Sequence, residues 1–344
     1  MNSNIAISRW LMTIMIFIGI IIIVGAITRL TNSGLSMPFW DLVEIIPPIS
    51  DDNWKEKFQE YKSNSSADYL EQGINNVSDF KIIFFWEYFH RLIARLVGII
   101  AIFPYLYFLY KRNLSQKQKR NYAIIICLIV TQGIVGWLMV RSGLDNMNYS
   151  QAQGVLPFWL MLHLSIAFFT FCFTLNNYLD IGYRKIKNNI SSVTNYGTLI
   201  YIIIFVQILF GALMSGYKAA YLYPTFPFMD DLLYPNSLDL SIEYIKIKTF
   251  VNFFHRWFGF IVLLSVVGIY LYIKKHISSI QNNIFRMLFY GILLQIFFGI
   301  LSLIHPVIPF QGTTTQIAIA SIHQFGAIIL LATTTVLRFS FQNK

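Results

Sequence analysis

The sequence predicts an all-α integral membrane protein whose eight transmembrane helices form two parallel-repeat four-helix bundles. Composition sets the class: 56% of the 344 residues are hydrophobic and only 12% are charged, where soluble domains carry about 25% charged residues. Eight long apolar stretches set the helix number, and an internal repeat sets the arrangement.

The stretches fall near 10–28, 84–110, 121–140, 157–178, 196–215, 250–273, 285–303 and 316–338. Each holds about 20 residues, enough for a helix to cross a hydrocarbon core about 30 Å thick with every backbone group satisfied internally. The first is expected to be retained, because it is too long for a signal-peptide core and no small-residue cleavage site ends it. The MNSNIAISRW start is also too poor in Arg for a transit sequence. The second opens on WEYFHRLIARLVG (86–98) and carries Glu87, His90 and Arg91. Cys127 and Cys172 fall mid-span in the third and fourth, without a CxxC spacing, and read as packing residues. The fourth also carries His163, the sixth carries FHR at 254–256, and the eighth carries HQ at 323–324.

Loop charges orient the helices. With the amino terminus inside, the inner side carries 14 basic residues against the single acid Asp180, and the outer side carries nine basic and fourteen acidic residues. The positive-inside bias therefore puts both termini in the cytoplasm of a multi-pass protein of the bacterial inner membrane. The net charge of +10 is a signal of topology, and no nucleic-acid partner is expected.

Helices five to eight overlay helices one to four. FHR at 89–91 meets FHR at 254–256, TQGIVGWL (131–138) meets LQIFFGIL (294–301), and LHLSIA (162–167) meets IHQFGA (322–327). In the outer loops, MPFWDLVEIIPP meets FPFMDDLLYP. The halves are 1–190 and 191–344. Four is even, so both copies enter the membrane in the same sense, unlike the inverted repeats of many transporters.

His90, His163, His255 and His323 each lie five to seven residues inside the outer end of an outward-to-inward stretch, a depth of roughly 8–11 Å. A histidine in hydrocarbon needs a partner in the bundle interior, and two helices offering one at equal depth can clamp a planar metal cofactor. His90 with His163 and His255 with His323 are thus predicted to ligate one heme each. The plainer alternative is four hydrogen-bonded core histidines. Structural zinc is disfavoured, since thiolates and carboxylates are missing at ligand spacing around most of them. His276 and His305 have no repeat mate and read as non-ligands. A b-type heme needs no CxxCH attachment motif, and none is present.

Arg91 and Arg256 follow the ligand histidines and either snorkel to headgroups or bind heme propionates. Glu87 stands one turn before His90, where Asn252 stands before His255. It is the only acid in any predicted span. It can serve an acid/base role or neutralise Arg91, four residues on.

The strings TRLTNSGLSMPFW followed by PP (28–48), E-x-x-H-R (87–91), QGIVGWLMVRSGL (132–144), GALMSGYKAAYLYPTFPFMDD (211–231), FHR (254–256) and HQ (323–324) resemble the heme A synthase family, in its alphaproteobacterial and mitochondrial branch. The resemblance runs over nearly the whole chain. It implies an eight-helix oxidoreductase that oxidises a methyl group of heme O, through an alcohol, to the formyl group of heme A used by terminal oxidases. Carried over residue by residue, it puts Glu87, His90 and His163 in the substrate site of the amino-terminal half. His255 and His323 become axial ligands of a heme b in the other half. Implied partners are heme O and heme A, membrane lipid and an electron donor or acceptor protein, with heme O synthase and a second copy of the chain as further candidates. The Gram-positive branch has a cysteine pair in its first outer loop, whereas residues 29–83 here contain no cysteine. That loop offers Trp40, Trp54, Asp51 and Asp52, either as a lid or as a loosely ordered segment.

Three other classes compete with this reading. A di-heme electron-transfer cytochrome would use the same four histidines but leaves the acid in only one half unexplained. A heme O-forming prenyltransferase would need Asp-rich magnesium motifs, which the sequence lacks. A transporter would need broken helices and a central polar path.

Overall fold

The computed structural model describes residues 3–39, 46–64, 74–145, 155–182, 192–235, 243–305 and 313–342. Among them are nine α-helices: α1 Ser3–Leu30, α2 Asp51–Asn64, α3 Val77–Tyr110, α4 Gln116–Asp145, α5 Pro157–Gly182, α6 Ser192–Gly216, α7 Glu243–Ile273, α8 Ser279–Ile304 and α9 Thr314–Phe341. All except α2 are long and apolar enough to cross a membrane, which bears out the all-α integral membrane class. The only β feature among the described residues is one isolated bridge, Met229 to Leu232.

The described residues fall into two compact units. One takes in 16–167 and 307–321, and the other takes in 1–15, 168–306 and 322–344. His90 and His163 belong to the first unit, and His255 and His323 to the second.

Two helices run further than their apolar stretches. α3 begins at Val77 with Asn76 as its cap, the Asn76 Oδ1 accepting from Asp79 N at 2.9 Å. Its 34 residues would span about 51 Å, so the turns bearing Asp79 and Lys81 extend beyond the hydrocarbon. α7 likewise starts at Glu243. His90 is therefore thirteen residues from its helix start and His255 twelve, against six for His163 and nine for His323. Polar first turns, which hydropathy cannot assign to a span, move the helix ends, so the ends are not the common depth marker that the sequence reading used.

In the first unit, α2 is an ordered helix with one aromatic face. Trp54, Phe58 and Tyr61, spaced i, i+4, i+7, are buried against Phe80, Ile83 and Phe84 at the start of α3. Trp54 meets Phe84 edge-on at 5.0 Å, Tyr61 stacks on Phe80 at 5.2 Å, and the Lys81 ammonium lies 5.1 Å from the Trp54 ring. Residues 51–64 are thus packed helix and not the loosely ordered segment that was one of the two sequence readings; Asp51 and Asp52 form the exposed first turn of α2, favourable at its positive end. Trp40 lies outside the described residues.

Each unit also has a tight turn after its first membrane helix. Past α1, Asn32 is left-handed at φ 52° and opens a short 3₁₀ turn, Ser33–Leu35. Past α6, Lys218 is left-handed at φ 50° before Ala219–Tyr221. Asn tolerates this conformation through its short polar side chain, whereas Lys adopts it at a cost.

The α2 face makes a prediction. Replacing Trp54 by Ala removes the centre of the aromatic cluster, a loss of about 3–5 kcal/mol for a buried large-to-small change. The 46–64 segment should become the first site cut in limited proteolysis of detergent-solubilised protein, while helix content by circular dichroism stays near wild type.

Candidate functional site

The structure pairs the four histidines as expected. His90 on α3 faces His163 on α5 with ring centroids 6.4 Å apart and planes at 58°. His255 on α7 faces His323 on α9 at the same 6.4 Å, with planes at 89°. All other histidines are unpaired and exposed: His276 sits in the turn after α7, and His305 caps α8.

What holds the rings is a feature that sequence reasoning missed. Each ring lies against a glycine on the preceding membrane helix: Gly25, Gly136, Gly211 and Gly299 for His90, His163, His255 and His323. A Cβ at Gly136 or Gly299 would come within 2.9 Å of the ring Cε1, closer than real contacts allow, and one at Gly25 or Gly211 within 3.0 Å, tighter than nearly all of them. In every case the closest ring atom is Cε1, the carbon between the two nitrogens.

Three of the four sites add a glutamine one turn before the glycine. Gln132, Gln207 and Gln295 donate from Nε2 to the backbone carbonyls of His163, His255 and His323, at 2.8, 2.8 and 2.6 Å. In return, His323 Nδ1 lies 3.1 Å from the Gln295 carbonyl. The Nδ1 atoms of His90, His163 and His255 are buried without a hydrogen-bond partner. The signal was legible as Q-x-x-x-G at 132–136, 207–211 and 295–299. The fourth site reads I-x-x-x-G, with Ile21 before Gly25.

Arg91 and Arg256 make contacts that neither sequence expectation named. Both are buried and tie their helix to the turn that follows the first membrane helix of their own unit. Arg91 donates from Nη1 to Phe39 O at 2.8 Å and from Nη2 to Met37 O at 2.5 Å, with Nε on Glu87 Oε1 at 2.6 Å. Arg256 donates from Nη1 to Thr225 O at 2.6 Å, from Nη2 to Tyr223 O, and from Nε to Asn252 Oδ1 at 2.5 Å. Asn252 also donates to Ala219 O at 2.7 Å. These partners align Met37 with Tyr223 and Phe39 with Thr225, so Pro38 matches Pro224. The loop register is therefore three residues off the MPF-to-FPF match read from sequence. An arginine has five N–H donors, so both keep capacity for a carboxylate such as a propionate.

The residues fit a heme. A metal–nitrogen bond of about 2 Å plus an imidazole radius of about 1.1 Å, counted on both sides, puts two axial rings about 6.3 Å apart. Both pairs match that spacing. Among the described residues no group of three or more His, Cys, Asp or Glu is placed to hold a metal ion, so a pair of histidines suits a metal that brings its own equatorial ligands.

Similarity to known proteins covers nearly the whole chain. The COX15-CtaA family, described as cytochrome oxidase assembly protein, matches over residues 8–335. A heme A synthase of Flavobacterium psychrophilum is 36% identical over 97% of this chain and 98% of its own length. Heme A synthases of Orientia tsutsugamushi (35% identical, 95% of this chain, 93% of its own) and Pelagibacter ubique (34%, 97% and 96%) are similar over comparable lengths.

The glycine contacts carry a prediction. Gly299→Val should lower heme bound per mole of purified protein about tenfold, the effect of disturbing a ligand's supporting contacts. Gly268→Val, at a position with nothing within 4 Å of an added Cβ, should leave it unchanged. Heme content by pyridine hemochrome decides the comparison.

Proposed function

The chain belongs to the COX15-CtaA family, and on that premise we propose that it converts heme O to heme A, oxidising a ring methyl group through an alcohol to a formyl group. In this reading heme O is the substrate of the His90–His163 half, residues 1–190. A heme b is the resident cofactor of the His255–His323 half, residues 191–344. With water as the oxygen source the conversion is CH3 + H2O → CHO + 4 H+ + 4 e−, so an electron-accepting protein has to take four electrons. A heme b between His255 and His323 supplies a one-electron centre whose potential its ligands and burial set.

One observation supports placing the chemistry in the amino-terminal half. Both arginines bond two carbonyls of the following turn and one side chain at Nε, and that side chain differs, Glu87 holding Arg91 and the neutral Asn252 holding Arg256; Arg256 Nη1 also reaches Phe228 O at 3.3 Å. A neutral amide is thus sufficient to hold the arginine, and the charge on Glu87 is additional to that structural need. Arg91 Nε takes one carboxylate oxygen, Oε1. The other is left to accept a proton from the reacting group or to orient water, one helical turn from His90.

The Glu87–Arg91 ion pair foreseen as an alternative does form, and it is compatible with this role. A di-heme electron-transfer protein accounts for the histidines without accounting for Glu87. The basic inner loops support an inner-membrane placement with both termini cytoplasmic. Heme O synthase, as the source of the substrate, and a second copy of the chain are candidate partners.

Glu87→Gln preserves an acceptor for Arg91 and removes the charge. The variant should fold and bind heme b through His255 and His323, yet form heme A about 10²–10⁴-fold more slowly per mole of heme-loaded protein. It should accumulate heme O or the alcohol, both identified by mass spectrometry of extracted hemes. An undiminished rate would make Glu87 structural. Separately, reporter fusions at 113 should read cytoplasm and fusions at 60 or 230 the outer compartment; the reverse would refute the orientation.

A further inference from the structure

Helices α3 and α7 carry matching histidines and differ at one more place on the face that bears them. In the register of the two FHR strings, Lys81 stands against Lys246 and Ile83 against Lys248. Lys81 and Lys246 lie nine residues before their histidines, two and a half turns away, so each points to the opposite side of its helix. The Lys81 ammonium accordingly lies over the Trp54 ring at 5.1 Å, and Lys246 is exposed. Ile83 and Lys248 lie seven residues before, close to two full turns, on the histidine's own face. Ile83 is buried in the aromatic cluster with Trp54 and Phe84. Lys248, half-buried, puts a positive charge at that position of the other unit.

From this we infer that Lys248 binds a carboxylate arm of the porphyrin held between His255 and His323, at a place where the His90–His163 half has an apolar residue. The inference rests on the proposed function, in which the carboxy-terminal half keeps its heme and the amino-terminal half turns its heme over. A heme b carries two ionised propionates, which leave the hydrocarbon by the shorter route. His255 stands twelve residues from the start of α7 and eighteen from its end. That route therefore runs toward the start, past Lys248 at a rise of about 10 Å. Arg256, on the same helix, keeps donor capacity beyond its bonds to Tyr223, Thr225 and Phe228 carbonyls. α7 thus offers two cations to two propionates. A lysine is a point charge on a flexible stem, suited to holding an arm, while Gly211 and Gly299 set the histidine rings. In the other half, the residue in register with Lys248 closes the cluster under α2, and a substrate heme there has one tie fewer to break on release.

The test uses the full chain in detergent, loaded with heme b, with excess apomyoglobin as heme acceptor; the signal followed is the low-spin heme that His255→Ala removes. Lys248→Met should speed departure of this heme about tenfold, the effect of losing one charge-assisted hydrogen bond. It should also lower the midpoint potential, because a nearby positive charge favours the reduced heme. Lys248→Gln, which keeps length and polarity, should behave as Lys248→Met, and Lys248→Arg should stay close to wild type. Lys246→Met removes the same charge from the opposite face and should change neither reading. Loading with the dimethyl ester of iron protoporphyrin, which has no carboxylate, should abolish the difference between Lys248→Met and wild type. Heme b leaving Lys248→Met and Lys248→Gln at the wild-type rate overturns the inference with the functional reading intact. So does a dimethyl ester that leaves Lys248→Met as much faster as heme b does, since Lys248 would then act through packing alone. A low-spin heme that survives in both His255→Ala and His323→Ala overturns the reading on which the inference rests.

Discussion

An imidazole inside a membrane has two nitrogens to account for, and most of the site's construction follows from that constraint. Water is absent, so a nitrogen without a partner is costly. The chain packs each ring by its Cε1 onto a glycine of the neighbouring helix, where the missing Cβ lets backbone and ring approach. His323 Nδ1 also meets the Gln295 carbonyl at 3.1 Å, and the paired rings stand 6.4 Å apart in both units. Glycine is otherwise a weak choice within a helix, and here its lack of a side chain is what sets the ligand geometry.

A second constraint concerns the buried arginines. A guanidinium in an apolar setting needs its donors occupied, and Arg91 and Arg256 occupy theirs with carbonyls of the turn that follows the first membrane helix of each unit. That turn is held in place by a left-handed residue and a short 3₁₀ segment. The arginine thus stiffens the turn near the histidines and still retains donors for a carboxylate. Charge, loop conformation and ligand position are coupled through one side chain.

Against this shared background two differences lie close to His90. Glu87 corresponds in sequence to Asn252, and Ile21 to Gln207. The first adds a charge one turn from His90, and the second removes a hydrogen-bonding side chain one turn from Gly25, which packs on the His90 ring.

Helix number, class and histidine set were open to sequence reasoning because lipid imposes length and composition, and because a histidine in an apolar run is conspicuous. The family resemblance lay in the same strings. The helix ends at Val77 and Glu243 escaped that reading because their first turns are polar. The register of Met37 with Tyr223 escaped it because proline and phenylalanine recur three residues apart. The Q-x-x-x-G pattern was printed in the sequence, yet its meaning depended on which helix lies beside each ring, and periodicity within one helix carries no such information. Likewise, an arginine after a histidine does not say whether it reaches headgroups, propionates or loop carbonyls. Residue type and hydropathy determined what spans the membrane and which residues can bind a metal, while contacts between helices distant in sequence decided which rings pair and what holds them, because only there does a side chain on one helix meet the backbone of another.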